Sequence, residues 1–245
     1  MTTEIRVRLD QEMLRRGLVR SRSEARHLIE AGKVTVAGVE RPKPASPVTP
    51  ATSIELANAE RYASRAGEKL AYALDRFRIE VDGKRVLDAG ASTGGFTDCL
   101  LQRSAARVVA VDVGRDQLRP ELRSDRRVAV FEGLDIGRAT AVSLGGQFDL
   151  VVADLSFVSL CVVIPALAGL TKPGADLIVL VKPQFEVGKD LVGRGVVRDA
   201  ALRQTAVDKV KLCFGASGLD TVEVTESPIT GEHGNQEYLL WARKP

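Results

Sequence analysis

The apolar positions of this chain change their period near residue 60. Before that point they mark short helices. Leu9, Met13 and Leu14 share one side of a helix that Gly17 closes. Ser21-Arg22-Ser23-Glu24 has the S-x-x-E spacing of a capping box, whose side chains satisfy free N–H groups at a helix start. A second helix follows, with Ala25, Leu28 and Ile29 on its apolar face and Gly32 at its end. Residues 33–39 alternate as a strand that enters a turn at Gly38, and 53–56 supply a returning strand beyond a proline-broken stretch. After residue 60 the pattern lengthens. A helix is predicted over 68–77, with Leu70, Leu74 and Phe77 on one face. Strands at 85–88, 108–111, 128–131, 150–153 and 177–181 then alternate with helices at 95–103, 160–170 and 199–214. Strands apolar on both sides, separated by helices, read as a mostly parallel sheet covered on both faces. Two last strands, 220–225 and 238–241, are joined through Pro228, Gly231 and Gly234, which permits an antiparallel return. The expected fold class is therefore α/β: a doubly wound, Rossmann-like sheet whose last strand is antiparallel, preceded by a small α+β domain. The boundaries read as 1–60 for the first domain, 61–67 for a linker and 68–245 for the second.

Composition adds little to this picture, but charge placement adds more. A chain of 245 residues fits one domain plus a small module, and a net charge of +3 says little about partners. Arg15, Arg16, Arg20, Arg22 and Arg26, however, lie within twelve residues, offset inside that window only by Glu24. Guanidinium groups beside the free N–H donors of a helix start suit phosphate. The three cysteines, Cys99, Cys161 and Cys213, are far apart and form no C-x-x-C pair. They read as core residues of a reduced, cytoplasmic protein, neither metal ligands nor a disulfide framework. The stretch 151–170 approaches bilayer-spanning length, but Asp154 and Pro165 interrupt it and basic flanks are missing. It reads as a strand followed by a helix, so no membrane partner is expected. No metal is expected either.

Candidate chemistry gathers around Val86-Leu87-Asp88-Ala89-Gly90-Ala91-Ser92-Thr93-Gly94-Gly95-Phe96. Strand, glycine turn and helix in that order build a nucleotide site at a strand's carboxyl end. The spacing is neither the G-x-G-x-x-G of a dinucleotide site nor a Walker loop. Its D-x-G-x-x-x-G-G form resembles the first motif of S-adenosylmethionine-dependent methyltransferases, whose cofactor has no phosphates. Asp88, Asp112, Asp135 and Asp154 all fall at or just past strand ends on one edge of the predicted sheet. Asp112 is placed to accept from ribose hydroxyls, and Asp135 from an adenine amino group. Lys182 ends the strand 177–181 at the same edge, and an antiparallel last strand brings Glu237 there too.

Longer stretches carry a closer resemblance. "RLDQEMLRRGLVRSRSEARHLIEAGKVTVAG" looks like the alpha-L RNA-binding module. "YASRAGEKL", "LDAGASTGGFTDCLL", "VVADLSF", "LVKPQFEVGK" and "SPITGEHGNQEYLL" resemble the TlyA family. That family joins such a module to an FtsJ-like methyltransferase domain with a class I sheet, and methylates the 2′-hydroxyl of cytidines in ribosomal RNA. The resemblance implies a Lys-Asp-Lys-Glu tetrad at Lys69, Asp154, Lys182 and Glu237. It also implies S-adenosyl-L-methionine held by Asp88, Gly90, Ser92, Thr93, Gly94, Phe96, Asp112, Asp135 and Asp154. The expected partner is ribosomal RNA within ribosomal subunits, 16S, 23S or both, met by a monomer through Arg6, Arg8, Arg20, Arg22, Lys43 and Arg65. Ala66 departs from the family, where glycine is common. A ribose hydroxyl is a weak acid, so a positioned lysine to accept or steer its proton suits the chemistry. Two alternatives stay open: a membrane-active hemolysin, a label some family members carry, and a non-catalytic ribosome-assembly factor. A carbon methyltransferase would need a cysteine nucleophile, and the nearest, Cys99, lies one turn into a helix.

Overall fold

The first sixty residues hold two short helices because their apolar positions repeat at helical spacing over only two turns each. In the computed structural model, which describes residues 6–19, 21–40, 42–56, 61–193 and 195–245, this part is one unit, Met1–Arg61, and the remainder a second, Tyr62–Pro245. The first unit runs β1 (Val7–Arg8), α1 (Leu9–Arg15), α2 (Arg22–Glu30), β2 (Val34–Val36), β3 (Val39–Glu40), β4 (Pro47–Val48) and β5 (Ile54–Leu56). The Ser21 hydroxyl accepts from the Glu24 amide at 3.1 Å, so the capping serine starts α2 as predicted. The predicted strand 33–39 is a hairpin instead: β2 and β3 pair antiparallel, and Ala37 and Gly38 turn with positive φ. The returning strand β5 pairs with the other side of β2. Leu9, Met13, Ala25, Ile29, Val34 and Val48 close the small core.

The second unit begins with α3 (Ala66–Phe77) and continues through β6 (Arg85–Ala89), α4 (Gly95–Gln102), β7 (Arg107–Asp112), α5 (Pro120–Arg123) and β8 (Val128–Glu132). Then come β9 (Phe148–Ala153), α6 (Leu160–Leu170), β10 (Thr171–Val181), α7 (Pro183–Glu186), α8 (Ala200–Ala216), β11 (Asp220–Glu226) and β12 (Tyr238–Arg243). The strands form one seven-stranded sheet in the order β11-β12-β10-β9-β6-β7-β8. β8, β7, β6, β9 and β10 pair in parallel, while β12 lies antiparallel to both β10 and β11. This is the class I methyltransferase arrangement. One sheet face packs on α6 and α8, and the other on α3 and α4. The chain leaves β6 toward β7 and β8, then crosses to β9 on the other side. That switch point, at the carboxyl ends of β6 and β9, is where open α/β sheets hold ligands.

Two expectations change here. Of the expected linker 61–67, Tyr62 and Ala63 are buried in the second unit, and the Ala63 amide donates to Asp98 at 2.8 Å. The cysteine reading is also corrected: Cys161 on α6 and Cys213 on α8 form a disulfide, with Cα atoms 5.4 Å apart. Helix packing brings together two residues 52 positions apart, a proximity that no local spacing reveals. Cys99 is buried and free. The apolar stretch 151–170 is β9 followed by α6, and no described helix is long and apolar enough to cross a membrane.

Candidate active site

The turn after β6 is shaped by what glycine permits. Gly90 has φ +87°, and a Cβ there would collide with the Asp154 carbonyl oxygen and come within 2.9 Å of Leu155. The Gly90 and Ala91 amides both donate to the Val111 carbonyl, at 2.8 and 3.1 Å, which draws the turn over the end of β7. Ser92 also has positive φ, and its amide donates to Asp112 Oδ2 at 2.8 Å. The Gly114 amide donates to Asp112 Oδ1 at 2.7 Å. One carboxylate therefore braces two turns while each of its oxygens keeps a lone pair free. Gly94, with φ +99°, leaves room for Leu118 and Leu122 of the α5 region and lines neither cavity described below.

Two cavities meet at this edge. The larger, about 610 Å³, is lined by Gly90, Ser92, Asp112, Gln117, Asp135 and the segment Asp154 to Val158, among others. The smaller, about 170 Å³, is lined by Ser92, Thr93, Phe96, Asp154, Ser156 and Lys182, among others. Asp135 accepts from the Gly137 amide at 2.9 Å, which fixes its carboxylate at the rim. Asp88 does not reach either cavity. It is fully buried, accepts from the Thr97 hydroxyl at 2.6 Å, and burial pushes its carboxyl up to about 7, with Asp154 and Asp112 adding repulsion. Its expected role as a ligand contact is thus replaced by a position behind the turn.

The four expected tetrad residues form two ion pairs. Lys182 Nζ lies 2.7 Å from Asp154 Oδ1, and Lys69 Nζ 2.5 Å from Glu237 Oε2. Lys69 is supplied by the first turns of α3 and Glu237 by the residue before β12, so only the sheet order unites them. Burial pushes the Glu237 carboxyl up; Lys69 and then Lys182 oppose this, and Asp154 adds to it. The other three charges therefore all act on Glu237. Gly231 matters here because a Cβ on it would occupy the place of the Glu237 carboxylate. Ser156, which the sequence reading passed over, accepts from Lys182 Nζ at 2.8 Å. Its signal was visible only as a polar residue two places past a strand-end aspartate. Among the described residues no cluster of ligands for a metal occurs.

The arginine-rich unit differs in detail from its linear reading. Asp10 is fully buried and accepts from Arg8, Arg22 and Arg26 at 3.0 to 3.3 Å. These bonds, Arg8 first, hold its carboxyl far below the usual range. Glu12 takes Arg15 and Arg16, which lower it to about 2. The positive run is therefore offset by two acids of α1, not by Glu24 alone. Arg6 and Lys43 are exposed; Arg65, in the second unit, is exposed and donates to the Thr230 carbonyl at 3.1 Å. Arg20 lies outside the described residues.

Comparison with known proteins agrees with this architecture. Residues 62–244 match the FtsJ-like methyltransferase family, and residues 7–54 match the S4 domain. The chain is 51% identical to the 16S/23S rRNA (cytidine-2′-O)-methyltransferase TlyA of Mycobacterium tuberculosis, over 97% of this chain and 90% of that one. It is 38% identical to Hemolysin A of Brachyspira hyodysenteriae, over 95% of this chain and 98% of the other. A solved structure from Streptococcus thermophilus, described as a candidate hemolysin, superposes with a TM-score of 0.77 at 37% identity, covering 98% of this chain and 88% of that one. With a matching family over the whole second unit and relatives alike from end to end, the chain belongs to the TlyA family of FtsJ-like methyltransferases that carry an N-terminal S4 RNA-binding domain.

Proposed function

We propose that this protein methylates the ribose 2′-hydroxyl of cytidine in ribosomal RNA, using S-adenosyl-L-methionine. The observation that carries the reading is Lys182 Nζ, held by Asp154 at 2.7 Å where the two cavities adjoin. The larger cavity suits the cofactor: Gly90 leaves open a cradle that a Cβ would alter, and Asp112 and Asp135 offer carboxylates at its wall. Gly90, Ser92, Asp112, Asp135 and Asp154 would hold it, with Thr93 and Phe96 at the smaller cavity. Gly94 and Asp88 shape the turn from behind. When bound, the cofactor supplies a methyl group already electrophilic on its sulfonium, so no metal is required.

The chain's own residues supply what a weak nucleophile lacks. Lys182 accepts or steers the hydroxyl proton while the oxygen–carbon bond forms and the sulfur–carbon bond breaks, the sulfur keeping that electron pair. Asp154 orients the amine, and the Lys69–Glu237 pair positions the ribose. Fixed alignment of reacting atoms can supply roughly 7–11 kcal/mol, so positioning outweighs proton transfer. The S4 domain would bring structured RNA, gripped through phosphates by Arg6, Arg8, Arg20, Arg22 and Lys43, with Arg65 contributing beside the second unit's 227–237 loop. The name of the Mycobacterium tuberculosis relative points to both 16S and 23S RNA as substrates. Mapping 2′-O-methylation across both large ribosomal RNAs, in cells with and without the protein, tests this reading. The marks are expected to disappear from cytidines in one or both RNAs, and identical maps would overturn it. Lys182→Ala is expected to abolish label transfer from radiolabelled cofactor while leaving cofactor binding intact; near-normal transfer would remove Lys182 from the mechanism.

A further inference from the structure

The Lys182 amine has two close partners, and its hydrogen bond goes to one of them. Nζ donates to the Ser156 hydroxyl at 2.8 Å, while Asp154 Oδ1, 2.7 Å away, is an ion-pair partner that accepts no hydrogen bond. An amine able to take a proton carries two N–H bonds and a single lone pair. With one N–H directed at Ser156, the Asp154 charge draws the second N–H to its own side, and the lone pair is left in the remaining tetrahedral direction. With Asp154 alone, the amine rotates about its last bond and the lone pair sweeps a cone. Ser156 is well placed for such a task. It lines both cavities, follows Asp154 by two residues on the same β9 exit, and is exposed, so no packing demand explains it.

We propose that Ser156 is a positioning residue for methyl transfer: its hydroxyl fixes the rotation of the Lys182 amine so that the lone pair faces the ribose hydroxyl. This rests on the reading of Lys182 as the proton acceptor. In the step itself the ribose O–H proton passes to Nζ, the oxygen takes the methyl carbon as the sulfur–carbon bond breaks with its electron pair left on sulfur, and the lysine ends as an ammonium hydrogen-bonded to Ser156 and paired with Asp154. Lys69 and Glu237, the other two charges of the tetrad, are paired with each other, which leaves the serine hydroxyl to direct the amine.

The test uses the full-length protein with ribosomal subunits as substrate and three variants. Ser156→Ala is expected to lower kcat about tenfold to a hundredfold, the fold-change of one hydrogen bond to a charged group. KM for RNA and Kd for S-adenosylmethionine, measured by calorimetry, should stay within threefold. Ser156→Thr, which keeps the hydroxyl at an exposed position, should recover most of kcat. Lys182→Ala serves as the reference. If it remains active, the reading of Lys182 fails and the proposal with it. If it is inactive, three results would each overturn the proposal alone: an unchanged kcat in Ser156→Ala, a loss confined to cofactor Kd, or no recovery in Ser156→Thr.

Discussion

Replacing Asp112 with alanine should weaken S-adenosylmethionine binding by roughly a hundredfold. The carboxylate already accepts the Ser92 and Gly114 amides, at 2.8 and 2.7 Å, and each oxygen retains a lone pair toward the larger cavity. A ribose diol would take those lone pairs. A hydrogen bond to a charged group contributes about 1.5–3 kcal/mol, and because this wall is half-exposed the lower figure applies. Losing two such bonds costs about 3 kcal/mol, which corresponds to a Kd raised by roughly two orders of magnitude. Loosening of the Ser92 turn adds to this rather than offsetting it. Asp112→Asn, which keeps one acceptor oxygen, should fall between, near tenfold. Titration calorimetry with the cofactor measures both, and thermal unfolding without ligand confirms that each variant folds. A Kd for Asp112→Ala within threefold of the parent protein would refute the assignment of this aspartate to the cofactor ribose.

Other expectations follow from the same geometry. Gly90→Ala combines a left-handed backbone, about 1–2 kcal/mol for an L-residue, with a clash against the Asp154 carbonyl; methyl transfer should be lost while the fold survives, and near-normal transfer would contradict the account of the turn. Asp88 takes up a proton on folding, because its carboxyl is raised to about 7 from an ordinary value near ~3.9. The folded state then holds the extra proton across that window, so stability should fall as pH rises from about 4 through 7. Asp88→Asn should flatten that slope in melting temperature against pH, and an unchanged slope would place the titrating group elsewhere. Cutting the Cys161–Cys213 link by Cys161→Ser should lower stability by up to about 4 kcal/mol on chain-entropy grounds, given a sequence separation of 52. A reductant should lower the melting temperature of the parent protein and leave that of the variant unchanged. An equal effect on both would show the link to be irrelevant to stability.

Local pattern determined much of this protein. The apolar runs of β6, β7, β9 and β10 and the capping serine of α2 are decided by neighbours within a few residues, so their periods and spacings reveal them. The same holds for Gly90 and for aspartates at strand ends, because a strand's end is a local event and the sheet edge follows from alternation with helices. The β2–β3 hairpin was blurred because Ala37 takes the left-handed conformation usually left to glycine or asparagine. Only the tertiary structure decided the rest. Lys69 meets Glu237 across 168 residues because β12 turns antiparallel beside β10. Asp10 gathers Arg8, Arg22 and Arg26 because α1 and α2 pack together. Cys161 reaches Cys213 because α6 and α8 cover the same sheet face. Asp88 and Asp112 share a residue type and a strand-end position, yet one is sealed behind Thr97 and the other opens on a cavity. Hydrophobic periodicity encodes which face of an element is buried, but which charges then confront one another depends on strand order and helix packing. Those are properties of the whole chain.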